Sequence, residues 1–217
     1  MTAPANLGYR GVLVTFEGVE GAGKTTQISL LRADLESQGL EVSVTREPGG
    51  DPVAEAIRSV LLDSRDPVAP SAELLLFMAS RAQMVERVLR PRLEAGEVVL
   101  CDRFTDSSIV YQGFGRGLDL DSIRSLNAFA TGGILPDCTL LLDVPALAGL
   151  ARQTERNRME DEALSFHERV RAGYLDEARR DPSRITVINA ARTIEAVHED
   201  VLAAVNEALA RSRGHQR

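Results

Sequence analysis

The sequence predicts an α/β fold, a doubly wound five-stranded parallel sheet with helices on both faces. Three observations carry this. Five short apolar or β-branched runs are spread along the chain, and stretches of helical spacing separate them. The segments between the runs are long enough for crossover helices, so the strands run parallel. The first run opens directly into Gly18-Val19-Glu20-Gly21-Ala22-Gly23-Lys24-Thr25-Thr26, which fills every fixed position of the phosphate-loop pattern G-x-x-x-x-G-K-[ST].

The elements follow in order. Gly11 to Glu17 is strand one, and Ile28, Leu31 and Leu35 set the apolar spacing of a helix that Gly39 ends. Leu40 to Thr45 is strand two, stopped by Arg46-Glu47-Pro48-Gly49-Gly50, with a helix from about Pro52 to Leu62. After a Pro-punctuated stretch, a long helix spans about Ser71 to Ala95, with Pro91 placed to kink it. Glu97 to Asp102 is strand three, and residues 105–131 hold two helical stretches interrupted by Gly113, Gly115 and Gly117. Cys138 to Asp143 is strand four. A helix from about Ala146 leads into the arginine-rich segment Arg152 to Arg158, then a polar helix to about Arg180. Arg184 to Asn189 is strand five, and a last helix covers Ile194 to Ala210. Residues 1–9 and 212–217 read as loose tails.

Composition bounds the function. The 217 residues are 44% hydrophobic and 26% charged, which suits one globular domain with a substantial core. No run of about 18 apolar residues predicts a membrane helix, and MTAPANLGYRG lacks the apolar core of a secretory signal. Cys101 and Cys138 lie in or beside strand-like runs, which suits buried free thiols in a reducing, cytoplasmic setting. The net charge of −7 argues against general nucleic-acid binding. It does not argue against a phosphate site, whose cations are gathered locally.

The glycine loop aims consecutive N–H groups at phosphate oxygens and adds the positive end of the following helix. Lys24 then reaches the β- and γ-phosphates, and the Thr25 hydroxyl is placed for Mg²⁺. Arg46 follows strand two, and Asp102-Arg103 follow strand three, at the sheet edge where such folds bind ligands. Asp102 stands where a metal-associated carboxylate would, although an acid ending a strand is also a common turn residue. Two arginines beyond the Lys24 site suggest a second anion. Phe77 and Arg81 share one helix face, beside an apolar stripe of Leu75, Met78, Ala82, Val85 and Leu89 that packs on the sheet. They form either a nucleobase platform or a core phenylalanine with an arginine reaching to solvent. The charges of Arg152 to Glu162 are either a solvated helix face or a lid that carries arginines.

Four segments, FEGVEGAGKTT at 16–26, TREPGG at 45–50, DRFTDSSIVYQG at 102–113 and LPD…LLDV at 135–144, together with Phe77-x-x-x-Arg81, resemble bacterial thymidylate kinases. The resemblance runs from about residue 11 to 205. It implies transfer of the ATP γ-phosphoryl group to dTMP, with Mg²⁺ held at Thr25 and Asp102. By the same resemblance Arg46 and Arg103 hold the dTMP phosphate, with Pro48 and Ser107 beside them. Phe77 stacks on thymine, and Arg81 bonds the base edge with Ser108 and Gln112 nearby. Tyr111 shapes the sugar pocket and Glu20 approaches the 3′-hydroxyl. A homodimer and a short lid at about 151–162 are also implied. The phosphate loop has no arginine of its own, so the resemblance makes a lid residue, Arg156 first and Arg152 second, the catalytic candidate alongside Lys24 and Arg103. Members often carry D-R-x-E after the lid, where this chain has Asn157-Arg158-Met159-Glu160. The rivals are weaker. Strand five is followed by Asn189-Ala190-Ala191-Arg192 rather than a guanine-reading N-K-x-D, and no L-S-G-G-Q signature occurs. A kinase for another nucleoside monophosphate or a deoxynucleoside is the nearer alternative.

Overall fold

The computed structural model describes residues 9–64, 66–152, 158–159 and 161–215, with side chains as far as Ser212. The amino-terminal tail expected at residues 1–9 therefore lies, but for Tyr9, outside the described residues, as does Arg156. Strands β1 (Val12–Glu17), β2 (Val42–Arg46), β3 (Val98–Asp102), β4 (Cys138–Asp143) and β5 (Ile185–Asn189) form one sheet in the order β2-β3-β1-β4-β5. All four pairings are parallel. The chain leaves central β1 for the β2 edge and returns through β3, then crosses to β4 on the other side of β1. The order thus reverses at β1, where the ligand crevice of an open parallel sheet forms.

The apolar runs alternate between two cores, as the two-residue period of a strand requires. Val12, Val14 and Phe16 of β1, with Val98 and Leu100 of β3, join a core completed by helices α1 (Lys24–Ser37), α8 (Leu164–Arg180) and α9 (Ile194–His215). Leu13, Val99 and Cys101 point the other way, against Met84, Val85, Leu89 and Leu93. Helix α2 (Pro52–Asp63) starts on an Asp51 cap that accepts the Val53 N–H, with Pro52 at the first helical position. Burial on both faces is why the runs of β1 and β3 read as continuously apolar. Cys101 and Cys138 are both buried and free, and burial raises the thiol of Cys138 to about 11.

Several sequence expectations shift in detail. The long helix is continuous as α3 (Pro70–Met84), a π-helical turn (Val85–Leu89) and α4 (Arg90–Ala95). Pro91 lacks an N–H and its ring crowds the carbonyl four residues back, and the wider π turn ahead of it absorbs that misfit. Leu75, placed by its spacing on the buried stripe, is 57% exposed instead. Gly113 and Gly115 do not break the chain. They lie within a helical stretch of α5 (Thr105–Ser108) and a second π segment (Ile109–Gly115), ahead of α6 (Leu120–Thr131). A Cβ at Gly113 would stand 2.3 Å from the Leu120 side chain, so packing and not a turn selects glycine there. The last helix also runs on past Ala210 to His215.

Between β4 and α8, α7 (Ala146–Leu150) brings its backbone onto the glycine loop. A Cβ at Gly149 would lie 2.2 Å from the Glu20 carbonyl oxygen, and one at Gly21 2.0 Å from the Gly149 oxygen. Backbone is thus set against backbone, with no side chain able to yield. Gly149→Ala should therefore lower stability by about 1–3 kcal/mol, the usual range for overpacking. Calorimetric melting would measure this, and an unchanged melting temperature would show that the contact is slack.

Candidate active site

Parallel register brings the site to one level. Arg46 pairs with Asp102, Asp102 with Phe16, and Glu17 with Leu141, so the ends of four strands are aligned. The glycine loop leaves β1 here, with φ values of 139° at Gly18, 69° at Gly21 and 91° at Gly23. Only glycine adopts such angles freely, which lets the loop curl its N–H groups toward one centre. Lys24 Nζ lies over that centre, 3.4 Å from the Gly18 oxygen and 3.3 Å from the Val19 oxygen. Burial and the Arg103 guanidinium lower its pKa, which fits a side chain arranged to meet anions.

A cavity of about 450 Å³ extends from the loop across the strand ends. Its wall includes Glu20, Gly21, Ala22, Gly23, Lys24, Thr25 and Thr26. Its lining also includes Arg46, Pro48, Phe77, Arg81, Asp102, Arg103, Ser107, Ser108, Tyr111 and Gln112. Arg152 also reaches the wall, and its Nη1 donates to the Gly21 oxygen at 3.1 Å. Gly18 and Val19 contribute carbonyls behind Lys24. Arg156 lies outside the described residues.

Arg103 has a left-handed backbone, φ 69°, which costs about 1–2 kcal/mol in a residue with a Cβ. Its own contacts hold it there. The Arg103 N–H donates to the Phe16 oxygen at 2.9 Å. The guanidinium donates to the Gly18 oxygen at 3.1 Å, Tyr174 OH at 3.2 Å and Glu20 Oε1 at 3.0 Å. It also stacks 5.0 Å above the Tyr111 ring. Tyr111 OH donates to the same Glu20 oxygen at 2.6 Å. Burial opposes the charge of Glu20, yet Arg103, His167, Lys24 and Tyr111 hold its pKa down to about 2. The Glu20 Oε2 atom is enclosed, 3.3 Å from His167 Nδ1 and not aligned for a hydrogen bond.

Arg46 is exposed and held by Glu55 at 2.9 and 3.1 Å. Phe77 is half-buried. Arg81 does not reach to solvent, being 1% exposed. It donates to Glu47 Oε2 from Nε and Nη2, at 2.8 and 2.6 Å, and to Ser108, Asn127 and the Phe104 oxygen. Its five N–H groups are therefore all engaged within the protein. Asp102 Oδ1 is a buried oxygen with no donor among the described residues, and Asp102 lines the same cavity as the exposed Thr25. One carboxylate and one hydroxyl beside a phosphate cradle fit a Mg²⁺ whose remaining ligands are phosphate and water oxygens. No cluster of three or more metal-binding side chains occurs among the described residues.

The family model for thymidylate kinase matches residues 16–201. The chain belongs to the thymidylate kinase family. A thymidylate kinase of Desulfovibrio desulfuricans is 50% identical over 214 residues, covering 94% of this chain and 98% of the relative. One from Deinococcus radiodurans is 48% identical, covering 95% of this chain and 99% of the relative. The crystal structure of thymidylate kinase from Ehrlichia chaffeensis superposes with a TM-score of 0.76 at 33% identity, covering 90% of this chain and 98% of that one.

Within this thymidylate kinase fold, two site residues are given no role by the sequence motifs. Arg58 of α2 reaches the cavity and donates to the Pro48 oxygen at 2.7 Å. Twelve residues beyond Arg46, it carried no motif signal. Glu17 could have been found, because it ends β1 as Asp102 ends β3. It accepts from the Phe104 N–H at 2.8 Å, Ser107 Oγ at 2.6 Å and Tyr174 OH at 2.7 Å. Burial, and then the charge of Asp106, raise its pKa from 4.5 to about 7.

This shift has a testable sign. Between pH 4.5 and about 7 the folded protein keeps a proton on Glu17 that the unfolded chain has released, so stability falls as pH rises through this window. A shift of that size corresponds to about 3 kcal/mol. The stability of Glu17→Gln relative to wild type should move by about that amount in the variant's favour between pH 4.5 and 8. Urea unfolding at several pH values would show it, and a difference constant with pH would remove Glu17 as the titrating group.

Proposed function

We propose that the chain transfers the γ-phosphoryl group of ATP to the 5′-phosphate of dTMP, giving dTDP and ADP. One observation carries this reading beyond family membership. A single cavity is lined both by the phosphate loop and by Arg46, Arg58 and Arg103 together with Phe77 and Gln112. That arrangement suits two nucleotides set phosphate to phosphate. The acceptor phosphate has a second pKa of about 6, so it is largely dianionic at pH 7 and needs no general base.

The demand is electrostatic. Two unit charges at ~4 Å repel by about 4 kcal/mol at an effective dielectric of ~20. Lys24 and the loop N–H groups would meet the ATP phosphates, while Arg46 and Arg103 would meet the acceptor. Preorganised cations of this kind stabilise charge without rearranging during the reaction. Arg103 suits the task because Glu20, Tyr111 and Tyr174 already fix its plane. Thr25 and Asp102 would hold Mg²⁺, which when bound neutralises charge between the β- and γ-phosphates. Phe77 would stack on thymine. Arg152 would be the lid arginine that closes on the transferring group, its contact with the Gly21 oxygen supporting it. Arg156, placed ahead of Arg152 by the family resemblance, lies outside the described residues and remains a candidate.

The same reading includes a cytoplasmic enzyme that acts as one domain and assembles as a homodimer. The free thiols of Cys101 and Cys138 and the apolar side chains exposed on α3 and α6, Leu75 and Phe129, support it. No described helix is long and apolar enough to cross a membrane.

A coupled ADP-release assay across dTMP, dUMP, dCMP, AMP and thymidine tests the activity. dTMP should be the best acceptor, and a preference for thymidine would overturn the phosphorylated-acceptor assignment. Phe77→Ala should raise the dTMP dissociation constant about 5- to 150-fold, since base stacking on an aromatic ring is worth roughly 1–3 kcal/mol. The fold should survive, and calorimetric titration beside a thermal melt would separate the two effects. Arg152→Ala should cut kcat at least ~10²-fold with little change in either dissociation constant, the pattern of a contact made in the transition state. A near-normal kcat would leave Arg152 as a surface residue.

A further inference from the structure

The carboxylate of Glu73 on α3 is fully buried and lies behind the cavity wall rather than on it. Four N–H groups converge on it. Gln112 Nε2 donates to Oε1 at 2.9 Å, Arg116 donates at 3.2 Å from both Nε and Nη2, and Arg158 Nη2 donates to Oε2 at 2.7 Å. Burial opposes the charge, but these donors hold the pKa below the ordinary carboxylate value. An ionised carboxylate only accepts hydrogen bonds. The atom of Gln112 that faces it must therefore be the amide nitrogen, and the amide cannot turn over without placing oxygen against oxygen. The opposite atom, Gln112 Oε1, receives no hydrogen bond from the described residues, and Gln112 lines the cavity.

We propose that Glu73 is a specificity-determining positioning residue: by locking the Gln112 amide with its oxygen toward the cavity, it selects bases that present an imide N–H, thymine and uracil, over cytosine. The inference rests on the nucleotide reading given above and adds to it the origin of base choice. Thymine has a donor at N3, whereas cytosine has a lone pair there, so a fixed acceptor bonds the first and repels the second. Arg81 has donors only, so it cannot be the acceptor that an imide N–H requires, and in this structure its N–H groups bond Glu47, Ser108, Asn127 and Phe104. Arg116 and Arg158 keep Glu73 ionised from the side away from the base. Arg158 also donates to the Leu61 oxygen of α2 at 2.8 Å, which fixes the node against a third element.

Glutamine at position 73 removes the constraint, because its side chain can accept or donate and Gln112 is then free to turn. In Glu73→Gln, the ratio of kcat/KM for dTMP to that for dCMP should fall at least ~10-fold, about the weight of one hydrogen bond. A purely structural role would lower both substrates together and leave the ratio alone. In a Gln112→Leu background the same change should leave the ratio unmoved. Gln112→Leu alone removes the oriented acceptor and should lower the ratio about as far as Glu73→Gln does. It also serves if Glu73→Gln fails to fold. An unchanged ratio in Glu73→Gln, or in Gln112→Leu where the first variant does not fold, would overturn the proposal. Failure of the function itself would appear differently, as wild-type protein that does not phosphorylate dTMP.

Discussion

A guanidinium or carboxylate taken out of water costs several kcal/mol unless an opposite charge and further hydrogen bonds meet it. The catalytic edge of this protein is arranged around that constraint. Arg103 is matched by Glu20, Arg81 by Glu47, and Arg116 with Arg158 by Glu73. In each case the acid is almost fully buried. These arginines are thus each held by an acid that faces the interior, which fixes their planes before any ligand arrives. Preorganisation of this kind is where catalysis of phosphoryl transfer has to come from, since no side chain acts as a nucleophile.

The acids differ in what their surroundings do to them. Glu20 stays charged because Arg103, His167, Lys24 and Tyr111 offset its burial. Glu17, three residues earlier, has hydroxyl and N–H donors too, but burial first and then the charge of Asp106 raise its pKa. Asp106 is itself held by both Nη atoms of Arg184, at 2.7 and 2.9 Å. Arg184 enters from the start of β5, so the network crosses from β3 beneath the site to the far edge of the sheet. Charge placement therefore depends on strand order and not on any one loop.

The same logic separates two kinds of arginine in the cavity. Arg46 is exposed and tied to Glu55 on α2, leaving other donors free at the mouth. Arg81 is saturated and sealed. The first suits a ligand that comes and goes. The second suits a fixed wall that shapes the base pocket, with Ser108 and Glu47 positioned through it.

By itself the sequence determined the strands, the alternation of helices and the phosphate loop, because each is a local pattern. Apolar runs with a two-residue period must be buried, and Gly18, Gly21 and Gly23 must adopt angles that other residues resist. The motifs TREPGG and DRFTDSSIVYQG likewise marked Arg46, Arg103 and Gln112 without any coordinates. Other features were decided only by tertiary structure. The exposure of Leu75, the role of Gly113 in packing against Leu120 and the π turn before Pro91 depend on neighbours far along the chain. The pairing of acids with arginines was equally invisible, since Glu73 meets Arg158 across 85 residues and Glu20 meets Arg103 across 83. Sequence shows which charges exist. Only the fold shows which of them are removed from water, and burial is what turns an ordinary carboxylate into one that must orient its partners.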